Sequence, residues 1–241
     1  MGNCATTSIT LQHGEGKPGR IVEVTGKNLT FRYGSDEMHY KIKCVNATNE
    51  NYYFAIYQTF PTSPGLKSVA WKTRRLPKRG SVPTVADIDW VMKYGVAITN
   101  WDENLDKFTG SQQINAQLGE IYQVAAEDEF PVIDPTSIGK TSAGQIVFRN
   151  NTKTPFAMDL NMGFTLDGNI IASKRDVHPH ESTLFDVHPV YYAACYRNIE
   201  LGQLVDSGIA LGPVEVAFKD GSTSMTVEAY IDNGEYKLVA Y

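Results

Sequence analysis

The 241 residues exceed the roughly 100–200 of an ordinary domain, so the chain holds one large unit or two fused small ones. A composition of 42% hydrophobic and 20% charged residues has the usual globular balance, and a net charge of −5 argues against polyanion binding by the surface as a whole. Three cysteines (Cys4, Cys44, Cys195), an odd count without a C-x-x-C pair, argue against a disulfide framework and a zinc ribbon.

In chain order, residues 1–36 read as an N-terminal arm or added hairpin. They open on Met1-Gly2-Asn3-Cys4-Ala5-Thr6, the pattern of N-terminal acylation at Gly2, with Cys4 as a second lipid site. No apolar signal core and no run near 18 apolar residues occurs, so the cytoplasm is the expected compartment, with acylation adding membrane association. The sequons at Asn28, Asn46 and Asn150 then read as chance matches.

Strands follow one another from Tyr40. Tyr40, Ile42 and Cys44 alternate with Lys41 and Lys43, giving one apolar and one polar face, and Cys44 and Cys195 read as small buried hydrophobes. A basic cluster (Lys67, Lys72, Arg74, Arg75, Lys78, Arg79) surrounds Trp71 and reads as a solvated edge strand guarded by cations. Val85 to Tyr94 could hold a helical turn. The acidic Glu127-Asp128-Glu129 reads as a solvated connector. In the second half Asp167-Gly168, Asp220-Gly221 and Asn233-Gly234 supply the φ > 0 pairs of tight hairpins. Val214, Val216 and Phe218, then Met225, Val227 and Ala229, repeat the alternation. Prolines punctuate the strands, and the whole predicts an all-β protein, a β-sandwich or a barrel-like relative.

Short echoes recur in a shared order. Asn46-Ala47-Thr48 matches Asn150-Asn151-Thr152, Phe54-Ala55 matches Phe156-Ala157, and Ala70-x-Lys72 matches Ala172-x-Lys174. Pro77 matches Pro179, and Leu118-Gly119 matches Leu211-Gly212. They predict two tandem, internally duplicated halves, residues 37–135 and 136–241, joined in the polar stretch Glu127 to Gly144.

Several motifs together resemble one family. They are Gln58-x-x-Pro61 with Ser68-Val69-Ala70-Trp71, Asp89-Trp90 leading to Tyr94, and His188-Pro189-x-Tyr191-Tyr192. Gly202-Gln203-Leu204-Val205-Asp206 and Ser224-Met225-Thr226 complete the set. Over residues 54–238 the chain is similar to the rhizosphere-expressed RhiA proteins of rhizobia and their bacterial and fungal relatives. That resemblance implies a cytosolic β-rich fold and brings no activity or catalytic residue set.

The candidate chemistry is sparse. His178-Pro179-His180 and His188 are the histidine cluster; Pro179 favours a turn and Glu181 would point away, so surface histidines are the better reading than a metal site. No phosphate loop, nucleophile elbow or metalloprotease helix is present, and neither a cofactor nor a metal is expected. Aromatic residues with polar tips are the main resource, because they give ligands a large contact area and a hydrogen-bonding handle. Trp71, Trp90, Tyr94, His188 and Tyr191 are the expected ligand-binding residues, and His188 with Asp186 is the acid–base candidate. The expected function is small-molecule binding in an aromatic cleft between the halves. One alternative is a cofactor-free cyclase or isomerase of secondary metabolism, working by shape and one acid–base group. The other is a self-assembling or membrane-surface structural protein. A small-molecule ligand and peripheral membrane contact are the expected partners; nucleic acid is not.

Overall fold

A computed structural model describes residues 38–241, except 61, 62, 64, 128, 188, 189, 207, 219, 220 and the side chain of 127. The arm and the acylation residues Gly2 and Cys4 therefore lie outside the described residues, as do Asn28 and His188. The described chain is all-β, without a helix. Before residue 135 come β1 (His39–Asn46), β2 (Tyr52–Gln58), β3 (Lys67–Ser68), β4 (Lys72–Leu76) and β5 (Thr84–Val91). They are followed by β6 (Tyr94–Asp102), β7 (Lys107–Asn115), β8 (Glu120–Glu127) and β9 (Phe130–Ile133). After it come β10 (Gly139–Lys140), β11 (Gln145–Asn150), β12 (Leu160–Leu166), β13 (Asn169–Val177) and β14 (Ser182–Asp186). The last four are β15 (Tyr191–Tyr196), β16 (Ile209–Val216), β17 (Ser224–Asp232) and β18 (Glu235–Ala240).

Four sheets result, and each mixes strands from before and after residue 135. Their orders are β18-β17-β1-β5, β16-β15-β2-β4, β10-β8-β11-β14 with β9 beside β8, and β3-β13-β12-β6-β7. Six kinds of pairing each occur twice. Antiparallel β1–β5 is matched by β11–β14, β2–β4 by β12–β13, β6–β7 by β15–β16, and β8–β9 by β17–β18. The other two kinds run across the middle of the chain: parallel β1–β17 and β11–β8, antiparallel β2–β15 and β12–β6. Neither stretch can complete its sheets alone, and a single large hydrophobic core joins all four.

The strand chemistry follows the residues. In β1, Ile42 and Cys44 are buried while Lys41 and Lys43 are exposed, as period-two alternation requires. Thr84–Val91 is the strand β5 and no helical turn: Ile88 and Trp90 alternate inward against exposed Val85, Asp87 and Asp89. β-branched and aromatic side chains at every second position fit a half-buried sheet face. Asp167-Gly168 (φ 51° and 74°) closes the β12–β13 hairpin, and Asn233-Gly234 (φ 52° and 86°) closes β17–β18. Gly221 (φ 74°) instead serves a connection between sheets, because β16 and β17 are not paired.

Two buried polar stations pin the ends of β1 and β11. Asn46 Nδ2 donates to the carbonyls of Glu50 (2.9 Å) and Pro77 (2.9 Å), with Leu76 at 3.2 Å. Its Oδ1 accepts from Thr48 N and Oγ1. Asn150 donates to Met158 O and Val177 O and accepts from Thr152 N and Oγ1. Both asparagines are fully buried, and a buried amide needs such partners. Neither sequon is open to glycosylation in the folded chain. The other echoes are looser: Phe54 lies in β2, whereas Phe156 and Ala157 lie in the loop before β12.

The sheet β3-β13-β12-β6-β7 curls until its edges are bridged by Gly202–Val205. On one side Ala70 N donates to Gln203 O (2.9 Å) and Gly202 N to Ala70 O (2.8 Å). On the other, Phe108 N donates to Gly202 O and Leu204 N to Asp106 O, both at 2.9 Å. Gly202 has φ 81°, and a Cβ there would strike the Phe108 carbonyl, so glycine is required at this closure. Inside sits a small second core of Val69, Phe108 and Ile170, flanked by Trp101 and Leu204.

Candidate functional site

Three of the expected ligand-binding aromatics come together. Trp71 precedes β4, Trp90 lies in β5 and Tyr191 opens β15; Trp90 meets Trp71 edge-on at 5.2 Å and Tyr191 at 5.3 Å. Tyr40 stacks on Trp90 at 5.6 Å, and Phe218 packs edge-on against Tyr40, Trp90 and Tyr191. Such edge-to-face and offset geometries are the favourable ones for ring quadrupoles. With Trp71, Trp90 and Tyr191 at 0, 2 and 1% exposure, the cluster is a packed junction between sheets and offers no open cavity. Tyr191 Oη donates to Met92 Sδ at 3.2 Å, and burial pushes the Tyr191 phenol well above its ordinary range. Burial likewise pushes the Cys44 thiol up to about 12 and raises Cys195, so both behave as small apolar residues.

Tyr94, at the start of β6, stacks on Phe164 at 5.7 Å, and burial pushes its phenol up to about 12. Asp186, half-buried, ends β14 opposite Gln145. His178 is held by Asp159 (Nδ1 to Oδ1, 2.8 Å), and its backbone N donates to Glu181 Oε2. His180 has a φ of 70° in the turn after β13. Among the described residues no group of three or more His, Cys, Asp or Glu is gathered to hold a metal ion.

Two shallow hollows lie on the curled sheet, between β7 and the β12–β13 hairpin. A cleft of about 480 Å³ has Trp71, Phe108 and Ile170 beneath it, with Lys107, Thr109, Gln113, Asn169 and Leu201 around it. A second cleft of about 290 Å³, lined by Lys93, Tyr94, Gln113, Asn115 and Thr165, adjoins it through the shared Gln113 and Gly168. Of the expected residues, Tyr94 lines the smaller cleft and Trp71 lies fully buried under the larger one; Trp90 and Tyr191 do not line them. Lys107 is engaged by Glu200 at 2.6 Å. Lys72 Nζ lies 5.5 Å from the Trp71 ring centroid and pairs with Asp167 at 2.7 Å, fixing the hairpin turn beside the cleft. Asn169 Nδ2 donates to Asp167 O in the same turn.

Sequence reasoning missed the β7 residues Thr109 and Gln113. The available signal was a strand polar on both faces, Thr109-Gly110-Ser111-Gln112-Gln113, which is unusual except at an edge beside open space.

The RhiA family model matches residues 37–237. The chain belongs to the RhiA family. No curated protein and no solved structure matches it. The matched RhiA region begins just before β1 and ends within β18, so it takes in both clefts and both asparagine stations. No described helix is long and apolar enough to cross a membrane.

Proposed function

We propose that this RhiA-family protein binds a small polar molecule in the cleft between β7 and the β12–β13 hairpin. One observation carries the reading. Two adjoining hollows of about 480 and 290 Å³ share Gln113 and Gly168, with aromatic and aliphatic side chains below and amide, hydroxyl and ammonium groups around them. Small-molecule sites typically span about 300–1,000 Å³ and combine an apolar floor with a few polar groups that fix orientation. β7 comes from before the chain midpoint and β13 from after it, so both stretches contribute to the site.

The lining favours binding over catalysis. Lys107 is engaged by Glu200, and burial pushes the Tyr94 phenol up to about 12, so that phenol is not poised for proton transfer near pH 7. The test is calorimetric titration with a panel of mono- and disaccharides and small polar amides. A hit should lose about two- to tenfold in affinity for each of Gln113→Ala and Thr109→Val, the worth of one hydrogen bond. Both side chains are exposed, so thermal stability should be unchanged. Affinity unaltered by either substitution would remove the cleft from the binding site.

A further inference from the structure

The expected basic cluster divides in the folded chain. Lys67 faces Asp206 at 4.0 Å and Lys72 pairs with Asp167, both on the side of the curled sheet. Arg74, Arg75, Lys78 and Arg79 lie on and just beyond β4, the edge strand of its sheet, and all four are exposed. No carboxylate pairs with them among the described residues. The carboxylates of adjoining segments are engaged elsewhere, Asp87 by Lys41 and Glu50 by Arg197, each at 2.7 Å; Asp89 lies further along β5.

We propose that the β4–β5 connection, Pro77 to Pro83, docks the protein on an anionic phospholipid surface. All seven of its residues are exposed, and Val82 at 68% and Val85 at 50% present apolar side chains beside the cations. The connection is fastened at its base. Arg79 N donates to Thr48 O, Lys78 N to Asn51 Oδ1, Thr84 Oγ1 to Pro77 O, and the Asn46 amide holds Pro77 O. A fixed loop carrying cations around an exposed aliphatic tip suits a surface of anionic headgroups over hydrocarbon, where each Lys or Arg adds attraction. The matched β13–β14 connection shows that the scaffold does not require it: it is only His178–Glu181 and carries no Lys or Arg. Nucleic acid fits less well, because Trp71 is fully buried and the half-buried Tyr53 ring already has the Arg75 guanidinium over it, 6.0 Å from its centroid.

The test uses the full, unacylated chain with sedimented vesicles of phosphatidylcholine alone or with 30% phosphatidylserine. Binding should appear only on the anionic vesicles and disappear in 0.5 M salt. Lys78→Gln/Arg79→Gln should lower partitioning by roughly 30-fold, two cations' worth of surface attraction. Val82→Asp should lower it severalfold. The control Lys140→Gln/Lys153→Gln changes net charge equally away from this loop and should have little effect. Three results would overturn the proposal: no binding of the unaltered protein to anionic vesicles, equal loss in both double variants, or tighter binding to a single-stranded oligonucleotide that Val82→Asp leaves unchanged.

Discussion

Replacing Asn46 by alanine would break a buried polar station at the point where β1 leaves the sheet. The amide has two hydrogens, which reach Glu50 O and Pro77 O at 2.9 Å each while Leu76 O shares at 3.2 Å; Oδ1 accepts two further bonds from Thr48. Alanine removes all of these bonds and leaves the buried Thr48 amide without its acceptor, while Pro77 O keeps Thr84 Oγ1 and Glu50 O keeps Thr48 Oγ1. At about 1 kcal/mol net per bond, and more for groups stranded by burial, the loss is about 3–4 kcal/mol. With a urea slope of roughly 2–3 kcal/mol/M for a unit this large, the midpoint should fall by about 1–2 M. Asn150→Ala removes four equivalent bonds and should behave alike, whereas Thr48→Ser keeps the hydroxyl and should cost less than about 1 kcal/mol. Because β1 is paired to β17 and β11 to β8, either lesion must loosen strands from both before and after residue 135. Equilibrium unfolding followed by tryptophan fluorescence and circular dichroism should therefore show one transition, shifted as a whole. A biphasic curve for Asn46→Ala, with half the native signal retained, would refute the interdependence; a shift below about 0.3 M would refute the energetics.

Gly202→Ala should destabilise by more than about 2 kcal/mol, because it combines a left-handed backbone with a clash against the Phe108 carbonyl; unchanged thermal unfolding would mean the closure is dispensable. Trp90→Ala should cost about 3–5 kcal/mol by leaving a large cavity among Trp71, Tyr40, Tyr191 and Phe218; a cost below about 1.5 kcal/mol in chemical denaturation would show that the cluster is not tightly packed. The Asp159 hydrogen bond raises the pKa of His178 above its ordinary 6.5, so the pair's stabilisation is fully present below that value and fades as pH rises through the folded pKa. An NMR titration should show the raised value and its return toward 6.5 in Asp159→Asn; a His178 pKa at or below 6.5 in the unaltered protein would refute the pairing.

Local chemistry was legible wherever a residue acts on its immediate neighbours. The alternation around Ile42 and Cys44 fixed a face, and Asp167-Gly168 and Asn233-Gly234 fixed hairpins, because those choices depend on a few dihedrals. Asp220-Gly221 carries the same turn signal, yet the chain there passes between sheets: a turn-forming pair sets local direction and cannot say which strand the next one will meet. The stretch Val85–Tyr94 was ambiguous because Val85, Ile88 and Met92 match a helical spacing while Ile88 and Trp90 match a strand, and pairing with β1 decided the matter. The aromatics gave the same difficulty at the site. Trp71, Trp90 and Tyr191 lie together, but ring chemistry suits a packed junction as well as a ligand wall, and only three-dimensional packing distinguishes them. The parallel pairing of β1 with β17, as of Lys41 with Ser224 at the far end of the chain, leaves no local trace at all.

Function is best sought where matched parts of the scaffold differ. The twelve pairings obey one scheme twice over, which constrains lengths and buried faces, but the connections between the strands are free to diverge. Two do so strongly. The β6–β7 turn is four residues, 103–106, while its counterpart between β15 and β16 spans 197–208. That longer segment supplies Leu201 and Gly202 to the cleft and clamps Ala70 to Phe108. The β4–β5 connection is likewise the longer and the cationic member of its pair. A packed sheet has little room for new chemistry, since every side chain added to its inner face must displace another. A long connection anchored at both ends can gain polar groups, a basic tip or a wall for a hollow without disturbing the core. The larger cleft and the basic β4–β5 loop both draw on such departures.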